Sequence, residues 1–321
     1  TLDSQSMLLS SASYQDVVDR FGCHVVIQAP TGSSGETTRF VRSWADWEDL
    51  RREHVTWDRV KVAAYRPLPS LNTHGVVVKT AEGLRCLTAS PSLQIVGAEP
   101  CTNREAIYCG NDFSALEQVS PRASEAAMAW TRLVGEDMGR SGFLGAFGMD
   151  FLVDGDDIFA LEINPRFQGS TALLTSLQVE REEIPLVALQ VLQFSGSIDA
   201  ITSDGLDRLE ASWARPYQGA HLVLHTTEAQ PSLFQHELSA GIHRLLGVQL
   251  DRLRDGDSVA ELRGASEWCL LDNLPLPDIT VKPGARTAMA QTRSRVLAGD
   301  LMTLNPAAST FALALRAAMV V

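Results

Sequence analysis

Lysine is nearly missing from this chain. Lysines stand only at 61, 79 and 282 in 321 residues whose Lys+Arg total is 27. Cationic contacts to an anion must therefore come mostly from arginine, whose planar fork suits carboxylate and phosphate. Long apolar runs are missing too. No run of about 18 apolar residues occurs, so a membrane partner is not expected. There is no basic excess: the net charge is −12, which argues against nucleic acid or an anionic membrane surface. Cysteine is sparse and unpatterned. Cys23, Cys86, Cys101, Cys109 and Cys269 form no CxxC pair and no zinc spacing. That pattern favours free thiols and a cytoplasmic location. No internal repeat or low-complexity segment is present. What is present is a 45% hydrophobic chain, long enough to bury a large core in more than one domain.

Residues 147–171 are the most informative stretch. Two apolar runs, 147–153 and 158–164, flank Asp154, Gly155, Asp156 and Asp157. A Gly within a short polar break between such runs predicts a hairpin. Side chains alternate along a strand, so Glu162 and Asn164 share a face. Asp150 on the partner strand can reach the same face. Two carboxylates and an amide oxygen are hard ligands of the kind Mg2+ takes beside phosphates and water. Acidic residues near a hairpin are often only solvated. Glu162, however, stands within the apolar run Phe159, Ala160, Leu161 and Ile163, where an unpaired carboxylate would be costly. Arg166 follows Pro165 and could clamp a carboxylate or phosphate.

This stretch resembles the final strands of the ATP-grasp superfamily, closest to the branch holding biotin carboxylase and the carbamoyl phosphate synthetase large subunit. The resemblance implies that Asp150, Glu162 and Asn164 hold Mg2+, with Mn2+ as an alternative. It implies that Arg166 is the catalytic group facing the reacting carboxylate or acyl phosphate. Gly169, Ser170 and Thr171 precede an apolar helix-like run and could offer helix N-terminal N–H groups to an anionic substrate.

A second motif lies upstream. Val25–Gln28 reads as a strand running into a loop that contains Gly32, Ser33, Ser34, Gly35 and Thr37, and Arg39–Val41 reads as the next strand. Gly/Ser-rich loops can bind phosphates through backbone N–H groups, although many are only turns. This one resembles the ATP-grasp glycine-rich loop and does not fit GxxxxGK[ST]. The resemblance implies ATP contacts from these loop residues, Gln28, Lys61 and Tyr65. The family usually has Lys where Gln28 stands. Lys61, in the strand-like run Val60–Tyr65, is either a nucleotide contact or a solvated strand residue.

The resemblance implies an α+β ATP-grasp fold of two lobes gripping ATP, with a C-terminal α/β appendage. The expected layout is a small lobe over 1–66, a large lobe over 67–215 and a third unit over 216–321. Family members carry an α/β domain ahead of the grasp, expected here to be cut off, outside this chain or never present. Asn72–Val78 reads as a strand, while 89–97 and 108–113 read as polar loops. On the family pattern His74, Ser92, Gln94, Asn111 and Asp112 lie on the acceptor-substrate side. Each could equally cap a turn. Ser120 and Pro121 predict the start of a helix reaching Arg140, with Trp130 in its core face. Arg293–Leu301 and Ser309–Val321 also read as helices, and Trp213–Tyr217 as a linker.

The implied reaction is carboxylate activation. A substrate carboxylate attacks the γ-phosphate of ATP, and an amine then displaces phosphate from the acyl phosphate. Small molecules or peptides would be the substrates, and a homodimer is compatible with the family. A carboxylase forming carboxyphosphate from bicarbonate, a non-catalytic ATP-binding module and a metal-free structural domain remain the alternatives.

Overall fold

The structure is a computed structural model and describes residues 3–32, 35, 37–53, 57–234, 238–271 and 274–319. The chain divides into two compact units, Thr1–Leu68 with Arg104–Tyr108, and Pro69–Asn103 with Cys109–Val321.

The first unit contains β1 (Ser4–Leu8), α1 (Tyr14–Phe21), β2 (Val25–Gln28), β3 (Thr38–Val41), α2 (Trp44–Glu53) and β4 (Arg59–Ala64). Its sheet runs β1-β4-β2-β3, and every pair is antiparallel. Strand alternation sorts the side chains. Val25, Ile27, Val41, Val60 and Val62 pack on Val17 and Phe21 of α1 and Trp47 and Leu50 of α2. Ser13 caps α1 by accepting from the Asp16 N–H at 3.1 Å. Residues of the opposite parity are placed in a row by the register: Ser6 opposite Lys61, Lys61 opposite Gln28, and Gln28 opposite Thr38.

The second unit begins with β5 (Ser70–Thr80), β6 (Gly83–Val96), β7 (Tyr108–Asp112), α3 (Pro121–Arg140), β8 (Gly145–Asp154) and β9 (Asp157–Asn164). Three helices follow, α4 (Thr171–Glu180), α5 (Leu186–Phe194) and α6 (Ser203–Trp213). Then come β10 (Ala220–His225), β11 (Ser232–Phe234), β12 (Gly241–Leu246), β13 (Gln249–Arg254), β14 (Glu267–Leu270), β15 (Ile279–Val281), β16 (Arg286–Thr292) and α7 (Pro306–Met319). One ten-stranded sheet has the order β13-β12-β14-β16-β10-β7-β6-β5-β8-β9, and β11 pairs with β15 separately. Leu71, Leu93, Met149, Phe151 and Leu222 face α3 and α7. Val76, Val78, Leu87 and Ala89 face α4, α5 and α6.

Residues 216–321 are therefore not a unit of their own. The C-terminal α/β segment extends the large sheet, because β10 pairs with both β7 and β16. Trp213 and Tyr217, expected in a linker, are fully buried. The Trp213 indole donates to Ile184 O at 3.2 Å, and the Tyr217 hydroxyl donates to Glu183 at 2.7 Å.

Other local expectations change as well. Residues 89–96 and 108–112 are strands rather than loops. Arg293–Leu301 contains no helix. The α3 helix spans its expected residues, but Trp130 is 51% exposed. The buried stripe is Ala123, Ala127, Thr131 and Gly135, small residues four apart that let the helix lie close on the sheet. Ser120 stands at the N-cap position, yet its hydroxyl donates to Asp156 instead of capping α3.

Candidate active site

The β8–β9 hairpin closes through Gly155 and Asp156, with Gly155 at φ +60°. Asp150 stands directly opposite Glu162, and Gly148 opposite Asn164. The apolar neighbours of Glu162 predict a buried strand. The structure corrects this: β9 is the outermost strand, Glu162 is exposed and Ile163 is 46% exposed. The buried carboxylate is Asp150, one strand inward and 7% exposed.

Three side-chain amides converge on Asp150. Asn72 Nδ2 donates to Oδ1 at 2.5 Å and Gln94 Nε2 donates to the same oxygen at 3.0 Å. Asn164 Nδ2 donates to Oδ2 at 3.2 Å and to Glu162 Oε1 at 3.2 Å. Burial, and then the charge of Glu162, push the Asp150 carboxyl up to about 7. Arg166 is exposed; it donates to Asn164 Oδ1 at 3.2 Å and to Phe167 O at 3.1 Å.

Two opposed carboxylates, one of them buried and hard to ionise alone, form with the Asn164 amide, once its oxygen is rotated toward them, a donor set that fits Mg2+. A cation at the pair would favour the ionised forms, as three neutral amides do only in part.

A second layer lies behind this set. Asn72 Nδ2 also donates to Gln168 Oε1 at 2.5 Å, and Gln168 Nε2 donates to Thr73 O at 2.8 Å. Gly148 permits this close approach, since a Cβ there would stand 1.5 Å from Gln168 Nε2. The Ser170 hydroxyl lies 3.1 Å from His74 Nε2 and donates to Asn72 Oδ1 at 3.3 Å. Burial pushes His74 down to about 4, so the ring is neutral near pH 7. Its Nδ1 has no hydrogen-bond partner among the described residues. Thr171 accepts from the Gln168 N–H at 2.9 Å, and Gly169 is exposed beside it.

Asn72 and Gln168 were not singled out from the sequence as site residues. Asn72 carried a usable signal: a polar residue inside an apolar strand, two positions from His74. Among the remaining substrate-side candidates, Asn111 Nδ2 donates to Ser92 Oγ at 2.9 Å, both wholly buried. Asp112 is held by backbone donors. Its Oδ2 accepts the N–H groups of Val296 and Leu297 at 2.7 and 2.9 Å, and its Oδ1 that of Ala115 at 2.9 Å. Three backbone donors on this carboxylate tie down its own loops.

In the first unit, Gln28 donates to the Thr38 hydroxyl at 3.4 Å, with Lys61 opposite on β4. Gly32 packs so that a Cβ would meet the Thr37 hydroxyl. Gly35 has φ +80° and lies against Ala106, where a Cβ would stand 1.7 Å from the carbonyl oxygen. Ser33 and Ser34 lie outside the described residues. The Tyr65 ring meets Phe40 edge-on at 5.3 Å and lies under Arg42 at 6.0 Å.

The model of the ATP-grasp domain family matches residues 11–170, which span the glycine-rich loop and the hairpin through Ser170. The chain belongs to the ATP-grasp family. No curated protein matches it in sequence. Solved structures share the fold. One is the biotin carboxylase domain of 2-oxoglutarate carboxylase from Hydrogenobacter thermophilus, in complex with MgADP, ADP and bicarbonate. It is 12% identical with TM-score 0.56, covering 92% of this chain and 58% of that one. Another is the carboxyaminoimidazole ribonucleotide synthase of Aspergillus clavatus, complexed with ATP. It is 13% identical with TM-score 0.54, covering 92% and 64%. The biotin carboxylase of Campylobacter jejuni is 10% identical with TM-score 0.55, covering 92% and 59%. This ATP-grasp chain thus spans less than two thirds of the length of these chains. Among its described residues, no helix is long and apolar enough to cross a membrane.

Proposed function

We propose that this ATP-grasp protein is an ADP-forming ligase that activates a substrate carboxylate as an acyl phosphate and joins it to an amine. The observation that carries the reading is the opposed pair Asp150 and Glu162 with Asn164 and Arg166 at one end of the hairpin. Asp150, Glu162 and the Asn164 oxygen would hold Mg2+ or Mn2+, which when bound neutralises nucleotide phosphates. The glycine-rich loop and Lys61 would face ATP.

The chain's own residues then position and neutralise. Asn72 and Gln94 fix the Asp150 carboxylate, and Gln168 locks Asn72. Arg166 offers a guanidinium where an acyl phosphate would carry charge, stabilising it without covalent chemistry. His74, neutral and held by Ser170, together with Ser92, Asn111 and the turn at Gly169 to Thr171, would bound the acceptor side. A small carboxylate and an amine, or a peptide, are the proposed substrates.

A second reading is a carboxylase that forms carboxyphosphate from bicarbonate. It is favoured by the fold neighbour in complex with MgADP and bicarbonate. The deciding assay is ADP release from ATP with Mg2+, run with pooled amino acids and peptides and, separately, with bicarbonate. Turnover that requires both a carboxylate and an amine supports the ligase. Turnover with bicarbonate alone transfers the assignment to the carboxylase. ATP binding without turnover in any arm replaces both with a binding module.

A further inference from the structure

The structure holds all five cysteines as thiols, with Cys23 exposed and Cys86, Cys101, Cys109 and Cys269 buried. Two of the buried four meet. Cys101 stands in the turn after β6, where its N–H donates to Ala98 O at 2.8 Å and its carbonyl accepts from the His225 N–H at 2.8 Å. Cys109 stands in β7, and the Cys101 thiol donates to the Cys109 sulfur. Backbone N–H groups of Ala98 and Gly97 point at the same sulfur. Arg316 of α7 is fixed nearby. Its guanidinium donates to Pro100 O at 3.1 Å, His225 O at 3.0 Å and Thr227 Oγ1 at 2.7 Å, and its charge acts on both sulfurs. Donors and a cation around a sulfur favour the thiolate. The hydrogen bond from Cys101, and then the Ala98 and Gly97 N–H groups, hold the Cys109 thiol below its ordinary value, against the opposing effect of burial.

The other two buried thiols differ. Cys86 donates to Leu87 O at 4.0 Å and Cys269 to Gly256 O at 3.8 Å, and burial pushes both up to about 12. They stay protonated and are poor nucleophiles. The Cys101 and Cys109 pair also has a particular place in the chain. Both cysteines belong to the second unit, whereas Arg104–Tyr108 between them belongs to the first. Within that first unit the Ala106 backbone lies against Gly35. A bond between the two sulfurs would tie both ends of this excursion at one point.

We propose that Cys101 and Cys109 are a redox site, which hydrogen peroxide converts reversibly to a disulfide that closes residues 102–108 into a ring. The Cys109 thiolate attacks one peroxide oxygen and the O–O bond breaks. A Cys109 sulfenic acid forms, and the departing hydroxide takes the proton that Cys109 released, giving one water. The Cys101 sulfur then attacks the Cys109 sulfur and the S–O bond breaks. The second hydroxide takes the Cys101 proton and leaves as another water. Two thiols thus lose two electrons and two protons, and peroxide is reduced to two waters. Peroxide is nearly as small as water, so reaching the buried pair needs only a small local opening.

The test uses the full chain carrying Cys23→Ser, which removes the exposed thiol and leaves four of the five cysteines. It is treated with hydrogen peroxide without denaturant, then unfolded for thiol titration and peptide mass spectrometry. The expected result is a fall from four thiols to two, a mass lower by two hydrogens and a Cys101–Cys109 linkage, all reversed by dithiothreitol. Cys86 and Cys269 should keep their thiols. In Cys101→Ala, dimedone should label Cys109 as the sulfenic acid, and in Cys109→Ala it should leave Cys101 unlabelled. The deciding count is made with both thiols in place, so it does not depend on whether the alanine variants fold. Four thiols retained in the folded protein overturn the proposal. A linkage to Cys86 or Cys269, or a Cys109 that passes to the sulfinic acid without bonding Cys101, overturns it as well.

Discussion

Asn164 turns its amide nitrogen, not its oxygen, toward Asp150, donating to Oδ2 at 3.2 Å. The same nitrogen reaches Glu162, while the Asn164 oxygen is occupied by Arg166. A cation bound between the two carboxylates would need the amide to rotate and release Arg166. In this arrangement Asn164 and Arg166, the proposed metal ligand and the proposed anion-facing group, hold each other. In Glu162→Gln, the exposed position on the outermost strand should leave the fold unchanged. The variant should lose Mg2+-dependent turnover by about 100-fold or more, because one of the two carboxylates proposed to hold the metal is neutralised. Mg2+ titration followed by side-chain amide NMR should move the Asn164 signals in the wild type and leave them fixed in the variant. Turnover that survives the change removes Glu162 from the site.

Gly148→Ala tests the support behind that pair. The new Cβ would fall on the end of Gln168, which must swing away and give up its bonds to Asn72 and Thr73 O. Asn72 would then lose a partner while still facing Asp150. A cost of about 1–3 kcal/mol is expected, from the overpacking and the lost hydrogen bonds. Mg2+ affinity should fall in the same variant, measured with turnover normalised to folded protein. Unchanged stability and affinity would mean that Gln168 contributes nothing to the position of Asp150.

Local signals in the sequence reached far into this fold. The strand Val25–Gln28, the helix Pro121–Arg140 and the hairpin around Gly155 follow directly from alternation, capping-position residues and turn chemistry. What escaped was set by tertiary context. Ser90, Ser92, Asn111 and Asp112 look like turn formers, yet they are buried in β6 and β7, where neighbouring strands and loops satisfy them. The packing face of α3 is made of small residues, which a search for large apolar ones passes over. The exposure of Glu162 depended on β9 being an edge strand, a property of strand order that no local pattern carries. Residues 218–321 gave few chemical signals because their part in the fold is to complete a sheet begun far upstream.

Acid should weaken the fold through buried neutral histidines. His74 is pushed down to about 4 and His221 to about 3, the first by burial and the second by burial and then Arg286. In the unfolded chain both take up a proton near pH 6.5, while in the folded protein they do not. The unfolded state thus binds more protons as the pH falls from 6.5 toward 4, and stability falls with it. Between pH 7.5 and 5 the loss should be on the order of 1–2 kcal/mol per histidine. Asp150, pushed up to about 7, acts in the opposite sense over the same range, so the histidine share is read by comparing urea midpoints of the wild type and a histidine variant at both pH values. His74→Gln should show a smaller difference than the wild type, and an equal difference would mean that His74 takes up its proton without unfolding.

Asp112→Asn distinguishes a fold-holding carboxylate from a substrate contact. Asp112 receives N–H groups on both oxygens, from Ala115 on one and from Val296 and Leu297 on the other. An asparagine amide has one oxygen, so in either orientation its NH2 group would face a backbone donor that has no other acceptor in this set. A loss of about 2–3 kcal/mol is expected, as for a buried donor left unsatisfied beside a charged acceptor removed. It should appear as a lower denaturation midpoint with an unchanged m-value. Turnover per folded molecule and the KM for each substrate should match the wild type. A raised KM at unchanged stability would return Asp112 to the acceptor side and show that its backbone donors are dispensable.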